Sequence, residues 1–234
     1  MAGKQRIPLI DVLRGLAVLL MVIHHFLYDL VAFCGAPGWL FSNPVFDFLH
    51  FVFAGLFILL SGVSSNFSRS NVKRGLKALA CALVITAVTV VMDMPILFGV
   101  LHLLGTCMVL YGLTRPLWEK LPFWAVPAVS LLGLVLTGHM VGGVPGESRW
   151  LWMLGWTYEG FVSTDYFPLL PWVFVFLLGT WAGKYIKAGR MPAWFYGADC
   201  PPLAAVGRHS LVIYVLHQPV LYGLTMAGLW LFGR

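Results

Sequence analysis

Residues 11–30, DVLRGLAVLLMVIHHFLYDL, are apolar enough to cross a bilayer, yet they carry Asp11, Arg14, His24, His25 and Asp29. A helix facing lipid does not tolerate that set, because each charge costs about 3 kcal/mol or more at the bilayer centre. The stretch opens the first of about seven apolar runs with the length that spans a membrane, roughly 17–25 residues. The runs fall near 8–33, 46–65, 73–92, 95–114, 123–140, 167–186 and 207–230. Each is predicted to be a helix, since an open strand cannot satisfy its backbone in lipid. The expected fold is an all-α polytopic membrane protein with about seven transmembrane helices (six to eight), built as a single domain over residues 1–234.

Composition agrees with that class. The chain is 60% hydrophobic and only 10% charged, where a soluble domain averages about 25% charged residues. The net charge of +6 therefore does not point to nucleic acid as a partner; it points to basic loops on one side of a lipid bilayer. With a cytoplasmic N-terminus, Lys4, Arg6, Arg69, Lys73, Arg74, Lys77, Arg115, Lys120, Lys184, Lys187, Arg190 and Arg208 fall inside, and only Arg149 and Arg234 fall outside. The expected location is the plasma membrane (a bacterial inner membrane), crossed several times. MAGKQR before an apolar run resembles the start of a signal peptide, but Asp11 and Arg14 interrupt the apolar part and no small-residue cleavage site closes it. The first span is read as uncleaved. Cys34, Cys81, Cys107 and Cys200 form no C-x-x-C pair, and no histidine spacing suits a metal, so none is expected.

Helical geometry organises the polar residues of the first span. At about 100° per residue, Arg14 and His25 point the same way, roughly 16 Å apart along the axis. Asp11, Tyr28 and Asp29 fall within about 60° of that direction, whereas His24 is rotated by about 80° from His25 and is read as a packing residue. Polar groups between membrane helices also serve as glue, at ~0.6 kcal/mol each. Two charges and an ionisable ring aligned over half a bilayer are costly for glue alone, which favours a functional cavity. His25 and Asp29 form an i,i+4 pair, in which the carboxylate could orient the ring and support its charged form. The catalytic candidates are therefore His25 and Asp29.

Other residues are candidates by position. Arg14, with Arg69, Lys73 and Arg74 in SRSNVKRGLK, offers cations near a helix N-terminus, a setting that suits phosphate; the same cluster would also suit lipid headgroups. Asp47 and His50 share a helix face near the end of the second span. His102 is mid-span in an apolar helix, where a packing role is as natural as a site role. His217 precedes Gln218 and Pro219, so the backbone there is interrupted. Asp47, His50, His102 and His217 are the candidates for substrate binding. GTWAG, Gly179 to Gly183, has the small-xxx-small spacing of a helix contact. Trp150, Trp152, Trp156 and Tyr158 crowd the loop 141–166, as in an interfacial aromatic belt.

LRG, apolar residues and then a histidine at Arg-x10-His make an opening helix similar to that of the transmembrane acyltransferases, the acyltransferase-3 proteins among them. IDVLRGLAVLLMVIHHFLYDL is closer to the bacterial relatives of heparan-α-glucosaminide N-acetyltransferase. FGVLHLLGTCMVLYG (98–112), DYFPLLPWVFVFLLGTWAGK (165–184) and GRHSLVIYVLHQPVL (207–221) resemble three further blocks of that family, in the same order. The resemblance runs from residue 7 to about 222. It implies an acyl-CoA donor (acetyl-CoA) taken from the cytoplasm, a carbohydrate or glycolipid acceptor with a free hydroxyl or amine on the other side, and a membrane-embedded catalytic histidine, at whose position His25 stands. The larger relatives have more spans, so a homodimer is one way for this shorter chain to complete its pocket. The competing reading is a small proton-coupled transporter with Arg14, His25 and Asp29 as a relay; against it, no inverted repeat is visible.

Overall fold

A computed structural model describes residues 7–232; Lys4, Arg6 and Arg234, which entered the charge asymmetry, lie outside the described residues. Nine α-helices form among them: α1 (Pro8–Cys34), α2 (Pro44–Ser65), α3 (Asn71–Val91), α4 (Val100–Lys120), α5 (Ala125–Thr137), α6 (Leu169–Lys187), α7 (Ala193–Gly197), α8 (Pro201–Arg208) and α9 (Ser210–Leu231). Six of these stretches are long and apolar enough to cross a membrane, and the chain is a polytopic all-α membrane protein. Its only strands among the described residues are β1 (Val144–Pro145) and β2 (Trp156–Thr157), a short parallel pair.

Local chemistry sets the helix ends. Pro8 occupies the first turn of α1, where its missing N–H costs nothing. Gly35, at φ 69°, takes the left-handed conformation that ends the helix, and the N–H of Ala36 donates back to the Leu30 carbonyl at 3.1 Å. Asn43 starts α2: its Oδ1 accepts from the N–H groups of Val45 and Phe46 at 3.0 and 3.1 Å. Ser70 caps α3 by accepting from the Lys73 N–H.

Three expected boundaries move. α4 begins at Val100 rather than near 95, because Pro95–Phe98 is drawn into extended pairing: Thr164 N–H donates to Pro95 O, and Phe167 N–H to Phe98 O. The same helix runs through Pro116 to Lys120 instead of stopping near 114. A proline this close to a helix end forfeits one backbone bond, and the last turn is held by Trp118 Nε1 donating to Thr114 Oγ1 at 2.8 Å and by the Arg115–Glu119 pair. Residues 193–208, read as loop and span, form the short helices α7 and α8 ahead of α9.

The chain divides into two compact units, Met1–Phe57 with Met191–Arg234, and Ile58–Arg190. In the second unit the close approaches come from glycine. A Cβ on Gly179 would stand 2.1 Å from the Leu59 carbonyl oxygen, and one on Gly183 2.6 Å from that of Val63. The GTWAG spacing is thus a backbone contact between α6 and the end of α2. α5, with 13 residues about 20 Å long, is shorter than the expected fifth span. It lies antiparallel to α6, with Phe123 against Trp181 at 5.1 Å and Gly133 against Phe174. At the end of this unit where Lys184 and Lys187 lie, their ammonium groups donate to the carbonyls of Trp118 and Asn66, the C-terminal ends of α4 and α2. At the opposite end, Trp152, Phe161 and Tyr166 pack on one another. The Tyr166 hydroxyl donates to the Trp152 carbonyl, and burial pushes its pKa up to about 12.

Candidate functional site

The first unit gathers the residues that the opening helix displays. α8 runs antiparallel along the start of α1. A Cβ on Gly207 would stand 1.8 Å from the Asp11 carbonyl oxygen, and one on Gly15 2.1 Å from that of Leu203. α9 then runs parallel to α1, with contacts between His25 and His217, Asp29 and Gln218, and Phe33 and Tyr222.

His25 is half-buried, and its Nδ1 meets the Met21 carbonyl oxygen at 2.9 Å. A carbonyl can only accept, so Nδ1 carries a proton, and in the neutral ring Nε2 then holds the lone pair. His217 repeats the arrangement on α9: Nδ1–H donates to the Tyr214 carbonyl at 2.7 Å, and Nε2 is buried without a partner. The two rings meet edge to face, with centroids 4.8 Å apart. Two imidazoles, each with its tautomer set by its own helix backbone, thus stand side by side.

Asp29 differs from expectation. Its carboxylate does not hold the His25 ring, because that ring has already given its Nδ1–H to the backbone. Asp29 is fully buried, and Oδ1 accepts from Gln218 Nε2 at 2.9 Å, across 189 residues of sequence. Asp29 stands one turn from His25 on α1, and its hydrogen bond goes to α9 and not to that ring. Gln218 was not among the sequence candidates. Its one signal was an amide next to Pro219 in an otherwise apolar segment.

His24 faces the other way, as its helical angle requires. It stacks on His50 at 4.3 Å and touches Phe41 and Phe53. His50 therefore belongs to a packing cluster between α1 and the start of α2, rather than to the His25–His217 pair. Asp47 is exposed in the first turn of α2, where a negative charge meets the positive end of the helix dipole. Arg14 is paired with Asp11 at 2.8 Å, one turn back on α1.

In the second unit, Arg69, Lys73 and Arg74 are exposed around the capped N-terminus of α3. His102 is a packing residue there. The Thr86 hydroxyl gives its proton to Ile96 O and so accepts from His102 Nε2 at 3.2 Å, while the ring stacks on Phe98. No cluster of three or more metal-ligating side chains exists among the described residues.

The family model described as heparan-alpha-glucosaminide N-acetyltransferase, catalytic, matches residues 6–219. Neither the curated proteins nor the solved structures yield a match.

Proposed function

We propose, from the premise that this chain belongs to the heparan-alpha-glucosaminide N-acetyltransferase catalytic family, that it transfers an acetyl group from cytosolic acetyl-CoA to the hydroxyl or amine of a carbohydrate acceptor across the membrane. The observation that carries the reading within the chain is the state of His25. Its Nδ1–H is spent on Met21 O, which leaves Nε2 as a base beside His217 and near the buried Asp29 carboxylate.

A thioester is already activated, so the reaction needs mainly a base for the acceptor and a place for charge. In this scheme His25 Nε2 takes the proton of the attacking O–H or N–H as the acceptor oxygen or nitrogen bonds to the acetyl carbon. The C–S bond then breaks, and the proton passes to the departing coenzyme A sulfur. Asp29, through its buried charge, would stabilise the imidazolium that exists between the two transfers. Arg14 would meet the donor's phosphates, and in the other unit Arg69, Lys73 and Arg74 offer phosphate-binding chemistry of the same kind. A phosphate at Arg14 competes with Asp11 for the guanidinium. The Lys/Arg asymmetry supports a cytoplasmic N-terminus and a plasma-membrane location, with the acceptor on the far side.

The test is binding followed by turnover. In nanodiscs, acetyl-CoA at 100-fold over its Kd stabilises the folded protein by about 2.7 kcal/mol, and a shift in melting temperature reads this out. Release of the coenzyme A thiol in the presence of glucosamine or methyl α-glucoside reads transfer. Absence of both the shift and thiol release overturns the assignment.

A further inference from the structure

Asp29 is 0% exposed, yet only one of its oxygens is bonded. No cation pairs with it among the described residues, and Oδ2 has no hydrogen-bond partner. Buried carboxylates ordinarily accept several bonds, because taking the charge out of water is costly. The one bond present comes from Gln218. Gln218 presents its N–H end, as an ionised Asp29 requires; the other end, Oε1, is buried and unpartnered as well.

Position 218 is also where α9 is weakest. Pro219 brings no N–H, so the carbonyl of Val215, one turn back, loses its helical donor. His217 and Gln218 sit at that break, and the Gln218–Asp29 bond ties this turn of α9 to α1. The His25–His217 ring contact lies one turn of α1 away from it.

We propose that Gln218 is a positioning residue for the transfer, holding the Asp29 carboxylate so that its open oxygen, Oδ2, accepts an N–H or O–H of the incoming acceptor beside His25. This rests on the transferase reading above. The chemistry of the unpaired atom supports it: the oxygen of an ionised carboxylate only accepts, the acceptor brings N–H and O–H groups, and the acetyl thioester group brings none. Gln218 acts through Asp29, so its loss falls on the acceptor and not on the donor.

The experiment compares wild type, Gln218→Leu and Gln218→Glu in nanodiscs, with acetyl-CoA as donor and glucosamine or methyl α-glucoside as acceptor. Initial rates come from thiol release, and melting temperatures are taken in parallel. Gln218→Leu keeps the bulk and removes the bond. It is expected to lose about 10- to 100-fold in kcat/KM for the acceptor, the worth of a hydrogen bond to a charged group, with the KM for acetyl-CoA unchanged. Gln218→Glu supplies a signature that packing alone does not. At mildly acidic pH the two carboxyl groups share one proton and keep the bond, so transfer survives. As pH rises that proton leaves, two anions face each other, and turnover falls. His25, one turn from Asp29 on α1 and in electrostatic reach of it, and His217, beside His25 on α9, are common to both proteins, so wild type lacks this alkaline fall. Wild-type kcat/KM in the leucine variant, equal losses toward donor and acceptor, or a wild-type pH profile in the glutamate variant would each overturn the inference alone. A wild type that transfers to neither acceptor overturns the transferase reading as well.

Discussion

Replacing His25 by Ala removes the one imidazole whose lone pair is left open by a backbone hydrogen bond and whose ring touches His217. A positioned base contributes about 10²–10⁴-fold in rate, which corresponds to roughly 2.7–5.5 kcal/mol of barrier. The loss should appear in kcat and in kcat/KM for the acceptor. Donor affinity should stay the same, because the cationic side chains are untouched. The structural cost is separate and smaller. The ring is half-buried and makes edge contacts with His24 and His217, and the Met21 carbonyl that it releases still accepts the ordinary helical N–H of residue 25. About 1 kcal/mol is expected, which lowers the melting temperature by about 2–4 °C in a chain of this size. The comparison variant is His24→Phe, which preserves a flat ring against His50, Phe41 and Phe53 and is expected to turn over like wild type. The assay is single-turnover acetyl transfer in nanodiscs, with acetyl-CoA binding measured by calorimetry on the same samples. An inactive His24→Phe beside an active His25→Ala would refute the argument from helix faces. If neither matters to transfer, the proton-coupled transporter becomes the better reading of the polar stripe.

Gly179→Ala places a methyl 2.1 Å from the Leu59 carbonyl oxygen and is expected to lower stability by about 1–3 kcal/mol by overpacking; Gly223→Ala, with nothing within 4 Å, should be neutral or gain about 0.5–1 kcal/mol, both read as melting temperatures. Arg14→Ala should weaken acetyl-CoA binding about 10-fold or more in a protein that still folds; unchanged calorimetric affinity rules out the phosphate role. A cysteine at position 72, in a variant otherwise free of Cys34, Cys81, Cys107 and Cys200, should resist a membrane-impermeant thiol reagent applied to intact cells, and labelling would reverse the assigned topology. Burial of Tyr166 raises its pKa from the usual 10.0 to about 12, so the folded state holds this proton longer than the unfolded one. Its contribution to stability is complete below pH 10 and is lost as pH rises through about 12. Wild type should therefore lose melting temperature across that window more steeply than Tyr166→Phe, and parallel slopes would contradict the linkage.

Some of this protein was decided by the sequence alone, because the governing physics is local. Apolar runs of bilayer length report their own burial in lipid, so the membrane class could be read from the chain; of the seven expected runs six correspond to long helices, and the one near 123–140 holds the shorter α5. The 3.6-residue period separated His24 from His25, and the two rings meet different neighbours, His24 against His50, Phe41 and Phe53 and His25 against His217. The glycine spacing of GTWAG announced a contact, because only a missing Cβ allows backbones to approach so closely. Other features belong to tertiary structure. Asp29 was expected to orient His25 because i,i+4 neighbours are within reach. A backbone carbonyl on the same helix took the His25 Nδ1 proton first, and Asp29 found Gln218 instead. That partner is 189 residues away, and no periodicity within α1 or α9 encodes it. The pairing of His24 with His50, the passage of α4 through Pro116, and the antiparallel course of the short α5 along α6 likewise depend on which helix lies next to which. A side chain with two possible partners is settled by the one that packing brings within about 3 Å, and that distance exists only once the helices have met.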